Sequence, residues 1–214
     1  MRMAARLLGL ALLASSTWTG AADANEIWRR NSGQWTVKLV QTPGQRAWCS
    51  WDTRFPSSGR TVSFMLNNTG LHLFLAAPNM RLDRLRGQQA MIRVGQVNYP
   101  VTFGFGDFNA RTNLGGAAGP IASDPTEMRN FVVAFAGAST ASIRFATGVA
   151  WDFGLRGTAA SLPHMAACTA EMRQRNGGGG VDLDPTRGAP SPRSLDPTVP
   201  QGAPQPAPRG LPKQ

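Results

Sequence analysis

The sequence predicts an α+β fold, an antiparallel β-rich sandwich or partly closed barrel with two helices and a disordered C-terminal tail. Three observations predict it. Apolar and polar residues alternate at period two in several short segments, turn residues separate those segments, and two stretches break into a helical period.

The chain starts with "MRMAARLLGLALLASSTWTGAADA", which has Arg2 and Arg6 at its head, an apolar run from Leu7 to Ala14 and a small-residue close at Ala22-Asp23-Ala24. That is the layout of a cleaved export signal, residues 1–24. The apolar run falls short of the roughly 20 residues that a spanning helix needs, and no later segment supplies one. A periplasmic or secreted protein without a transmembrane segment is therefore expected. No cysteine follows the run to carry a lipid.

A globular domain should occupy residues 25–174, a length suited to one core. Trp35, Val37 and Leu39 share a face in "QWTVKLV", and Ala47, Cys49 and Trp51 share one in "RAWCSWD". Val62, Phe64 and Leu66 follow, then Leu71, Leu73 and Leu75, with "NNTG" between them as hairpin chemistry. A second hairpin joins "AMIRV" to "VNYPVTF" across Gly95-Gln96, where Tyr99 before Pro100 reads as an edge-strand residue. "FGFGDF" reads as a glycine-rich turn, and with no helix behind it cannot cradle a phosphate. Ile143 and Phe145 pair with Val149, Trp151, Phe153 and Leu155 across Thr147-Gly148.

The two helical stretches are explicit. In "SDPTEMRNFVVAFAG", Ser123 or Asp124 caps, Pro125 suits the first turn, Glu127 can reach back, and Met128, Phe131, Val132 and Phe135 form the apolar stripe. The second, within "LRGTAASLPHMAAC", closes the domain. Pro163 is comfortable only in a first turn, which favours a start near Ser161 over Thr158. On a helical wheel Leu162, Met165, Ala166, Thr169 and Met172 make one face, with Cys168 on its border and His164 further round toward solvent. Beyond it, residues 175–214 lose large apolar groups and gather prolines. Such a tail cannot bury enough surface to offset its ordering entropy.

Between Asn25 and Gly180 stand 15 Arg and one Lys against eight acids. Single-strand recognition wants aromatics interleaved with charge, and none lies between Leu75 and Val97, around the one cluster "MRLDRLRG". No nucleic-acid partner is expected. For an exported protein the charge is better used on envelope components, whether anionic lipid, glycan or protein, with Arg81, Arg84 and Arg86 as its focus. Trp48 alternates away from Cys49 and Trp51 and, beside Arg46, is a candidate for stacking on a sugar or peptide. Its other reading is packing on a second sheet face.

An exported chain with two cysteines usually pairs them, here Cys49 with Cys168. Two other readings stay open. His164, one turn before Cys168, could serve a Cys-His nucleophile, and Cys49, His72, His164 and Cys168 could hold a metal if three separated elements converged. The acids, among them Asp52, Asp107, Asp124 and Asp152, show no paired spacing, and no G-x-S-x-G occurs. No cofactor, metal or catalytic residue is expected.

The opening W-T-V strand, the cysteine in "AWCSWD" and the end "WDFGLRGTAASLPHMAAC" resemble the small alphaproteobacterial exported proteins that include the invasion-associated locus B family. The resemblance implies a β-rich fold with a late helix packed on the sheet, at the periplasm or cell surface, without an established enzymatic activity. Together these readings predict a non-enzymatic exported envelope protein with a binding role and one disulfide. The alternative is an envelope hydrolase or transferase with a carboxylate pair.

Overall fold

The structure is a computed structural model that describes residues 25–178. The expected export signal, residues 1–24, and the expected tail beyond residue 178 lie outside the described residues. Among the described residues the elements run β1 Asn25–Ser32, β2 Trp35–Gln41, β3 Trp48–Arg54, β4 Thr61–Asn67, β5 Gly70–Pro78, β6 Gln89–Val94, β7 Val97–Thr102, β8 Phe105–Asn109, β9 Leu114–Ala122, α1 Pro125–Gly137, β10 Thr140–Phe145, β11 Ala150–Gly154 and α2 Thr158–Arg175. They form a seven-stranded sheet in the order β1-β2-β3-β4-β5-β9-β8 and a four-stranded sheet in the order β11-β10-β6-β7. Every strand pair is antiparallel and neither sheet closes, so the fold is α+β as the alternation predicts.

The alternating residues are the core. Trp35, Val37 and Leu39 on β2, Cys49 and Trp51 on β3, Val62, Phe64 and Leu66 on β4, and Leu71, Leu73 and Leu75 on β5 are all buried on one face of the large sheet. Helix α1 lays its stripe on that face. Asp124 caps it by accepting from the backbone N–H of Thr126 and Glu127, Pro125 takes the first turn, and Met128, Phe131, Val132 and Phe135 are buried. Phe135 meets Trp35, Trp51 and Phe64 at 4.7–5.0 Å between ring centroids, while Phe131 reaches Tyr99 of the small sheet at 4.9 Å. The indole N–H groups of Trp35 and Trp51 meet no oxygen acceptor. Both rings stand edge-to-face with Phe135, an arrangement favoured by the aromatic quadrupole.

Three strands carry no alternating signal. β1 is a solvated edge, and β8 begins inside "FGFGDF", where the sequence reads as a turn. β9, "LGGAAGPIA", lies between β5 and β8 although glycine and alanine have poor strand propensity. Its small residues are required by close approach. A Cβ on Gly115 would stand 2.0 Å from the Met80 carbonyl oxygen, and one on Gly119 would stand 2.4 Å from that of Thr102. Pro120 is tolerated because the β8 ladder ends at Ala118, which leaves no partner for its missing N–H on that side. Val149, placed with the inward residues by alternation, is instead exposed in the turn before β11.

α2 also departs from expectation. It begins at Thr158, one turn earlier than Pro163 favours, because side chains tie that turn down: Thr158 Oγ1 donates to the carbonyls of Phe135 and Leu155, and Ser161 Oγ to that of Thr158. The buried stripe is Thr158, Ser161, Met165, Cys168, Thr169 and Met172, so Cys168 sits within the face rather than on its border. The folded unit extends past residue 174. Asn176 Nδ2 donates to the Ala47 carbonyl at 2.9 Å and to Asn68 Oδ1 at 3.1 Å, and the Ala47 N–H donates to Asn176 Oδ1 at 2.9 Å. Because Ala47 is fully buried, Asn176→Ala strands two backbone groups there and should cost about 1–3 kcal/mol. Urea unfolding should show a chain ending at Arg175 weakened to the same extent, and a chain ending at Gly178 unchanged.

Candidate functional site

The two cysteines meet. Cys49 on β3 and Cys168 on α2 form a disulfide that joins residues 119 apart with a Cα–Cα distance of 6.0 Å, both fully buried. This bond removes the free thiol that the nucleophile and metal readings both need, and no free cysteine is present among the described residues. His72 stands on the solvent face of β5, whereas His164 lies on α2 against the opposite face of the same sheet, so the four soft ligands do not converge. Among the described residues no group of three or more His, Cys, Asp or Glu is placed to hold a metal ion, and no helix is long and apolar enough to cross a membrane. α2 is fastened to β1 as well, where Trp28 Nε1 donates to Glu171 Oε2 at 2.8 Å. That bond, with those from Arg175, holds the Glu171 carboxyl below its ordinary range.

The predicted binding residues fall at two separate places. Trp48 is half-buried on the outer face of the large sheet, opposite Val40. Further along that face Lys38 Nζ lies 2.9 Å from Asp52, which also accepts from Ser50 and Ser63, so the pair is absorbed within the sheet surface. Trp48 stands at the end of the sheet that holds the β4–β5 turn. Arg81, Arg84 and Arg86 follow β5 at its other end, about 30 Å away over nine residues of strand. The structure does not bring Trp48 and the arginines together.

Within the arginine cluster the three residues differ. Arg81 makes two bonds to Asp83, at 3.0 and 2.7 Å, and lies over Phe108 with its guanidinium carbon 4.9 Å from the ring centroid. It is committed locally, and the pairing holds the Asp83 carboxyl below its ordinary range. Arg84 stands inside the short 3-10 turn Leu82–Leu85 and Arg86 caps its end, and both side chains are exposed without a hydrogen bond or ion pair among the described residues.

Sequence reasoning missed their neighbours. The β8–β9 turn meets this end through the Asn79 N–H, which donates to the Asn113 carbonyl at 2.7 Å, and it carries exposed Arg111. The β3–β4 connection meets it through Gly59 and Pro78 and brings Arg54 and Arg60, the latter stacked on Trp151 at 4.9 Å. One end of the molecule thus gathers Arg54, Arg60, Arg84, Arg86 and Arg111 around the Arg81–Asp83 pair, with Asp107 the further acid on β8. The signal lay in "NARTN", where Asn109 accepts from the N–H groups of Arg111 and Thr112 to make the turn that presents Arg111.

The outer face of the small sheet holds an open trough of about 750 Å³. One carboxylate, Asp152, lines it. No protein-family model, curated protein or solved structure matches the chain.

Proposed function

We propose that this is an exported envelope protein with a binding rather than a catalytic role, held by its disulfide, whose basic end seats it on a polyanionic envelope surface. The observation that carries this reading is the convergence of arginines from three separate connections onto one end, with Arg84, Arg86 and Arg111 left unpaired among the described residues. Arginines presented this way keep their donors available to phosphate or carboxylate groups. The export signal and the resemblance to small envelope proteins support the location. The alternative, an envelope hydrolase or transferase, needs two carboxylates facing one cleft. The large trough offers one.

The test is co-sedimentation of the disulfide-bonded protein with vesicles containing phosphatidylglycerol. Binding should weaken steeply as salt shortens the screening length to about 8 Å. Replacing Arg84, Arg86 and Arg111 together by Gln should remove most of it without lowering the thermal midpoint. Arg81→Gln should do less to binding, because that side chain already serves Asp83 and Phe108. A parent protein without salt-sensitive binding, or a triple variant that binds like the parent, defeats the proposal.

A further inference from the structure

The trough on the small sheet lies about one strand length, some 20 Å along β6, from Arg84 and Arg86. Its polar groups are set by register. Asp152 of β11, Ser142 of β10 and Arg93 of β6 stand in one row across three neighbouring strands, all on the outer face. Arg144, two residues beyond Ser142, points from the same face and is the diagonal neighbour of both Arg93 and Asp152, about 7–8 Å from each. Thr140 stands on the other side of Ser142, and Ser139 completes the rim.

These groups are not spent on one another. Arg93 lines the trough and is oriented by its own hairpin, with Nε donating to the Gly95 carbonyl at 3.1 Å and one terminal nitrogen to Gln96 Oε1 at 2.8 Å, which leaves the donors of its other terminal nitrogen unused among the described residues. The side chains of Arg144 and Asp152 make no hydrogen bond or ion pair among the described residues. Asp152 and Arg93 are held apart by the width of two strand spacings, about 10 Å. The trough therefore presents a guanidinium on β6, a carboxylate on β11, and a second guanidinium with the hydroxyls on β10 between them.

We infer that this trough binds an acidic sugar chain, with the sugar carboxylate on Arg93 and Arg144 and ring hydroxyls on Asp152 and Ser142. The donor and acceptor types decide the class. Two guanidiniums against one carboxylate leave the site positive, which favours an anion and disfavours an ammonium group at Asp152. An ionised carboxylate accepts two hydroxyl donors at once, and the serine and threonine hydroxyls both donate and accept, as a polyhydroxylated ligand requires. The opening has room for more than one ring and is unclosed at its ends, which suits a unit within a chain. This site lies apart from the basic end and does not depend on the membrane-surface reading.

The probe is digalacturonate, titrated into isotope-labelled protein while backbone amide shifts are followed. Shifts should centre on Arg93, Ser142, Arg144 and Asp152, with cellobiose, the neutral control, weaker by about tenfold or more. Arg144→Gln should weaken digalacturonate by a similar factor at an unchanged thermal midpoint, because that side chain supports nothing else. Asp152→Asn should weaken the disaccharide, which loses a hydroxyl acceptor, and not inorganic phosphate, which loses only a repulsive charge. Four outcomes overturn the inference: no shift at millimolar digalacturonate, equal binding of cellobiose, inorganic phosphate binding as well as the disaccharide, or shifts centred on Arg84 and Arg86.

Discussion

Reduction of the Cys49–Cys168 bond is expected to lower the thermal midpoint of the domain by about 10–20 °C. The bond closes a loop of 119 residues, and the chain-entropy account assigns such a crosslink about 4–5 kcal/mol of unfolded-state entropy. In a domain of this size each kcal/mol moves the midpoint by about 2–4 °C. Both sulfurs are fully buried between β3 and α2, so the reduced thiols still pack as small apolar groups, and the loss arises in the unfolded chain. The expected signature is a large fall in midpoint with little change in the far-UV spectrum of the folded state. Intact-mass measurement of protein purified without reductant should give the disulfide mass, with no alkylatable thiol before reduction. A midpoint shift of only a degree or two on full reduction contradicts the expectation and assigns the fastening of α2 to its other contacts, Trp28–Glu171 and Asn176–Ala47.

Gly119→Ala is expected to destabilise the domain by about 3 kcal/mol, among the larger effects available to a single added methyl group. A Cβ at this position stands 2.4 Å from the Thr102 carbonyl oxygen and 2.8 Å from Val101 Cγ1. The nearest atom is backbone, at the end of β7, so relief requires the small sheet to move away from the large one. Gly104→Ala is the matched control, since nothing lies within 4 Å of its added Cβ. Urea unfolding of the two variants should separate them by most of the predicted difference. Equal midpoints show that β7 and β9 can part at little cost, and remove the close-approach explanation for the glycines of β9.

These two positions mark the boundary between what was legible in the sequence and what was not. Alternation on β2 to β5 marked the large inward residues, missing Thr53 and Ala77, because a half-buried strand writes its burial into its own pattern at period two. The helical stripe of α1, its Asp124 cap and its Pro125 start were readable for the same reason, since each depends on residues within one or two turns. Pairing of the cysteines also followed from the sequence, as the expected state of two cysteines behind a segment that reads as an export signal. β9 was not legible, because its small residues record the approach of Met80 and Thr102, which are distant in the chain and carry no mark of it. The early start of α2 was hidden likewise, as Thr158 is held by the Phe135 carbonyl from another helix.

The candidate sites divide in the same way. Arg84 and Arg86 were visible as a run, but their separation from Trp48, the commitment of Arg81 to Asp83 and Phe108, and the arrival of Arg54, Arg60 and Arg111 from other connections are properties of how strands are stacked end to end. Arg93, Ser142, Arg144 and Asp152 are scattered through the chain and become one trough only through the register of three antiparallel strands. The sequence by itself determined the strand faces, α1 and the disulfide, because each is set by local periodicity, capping or composition. Which polar groups share a surface was decided only by the tertiary structure, because sheet order and register bring together residues whose spacing in the chain bears no relation to their distance in space.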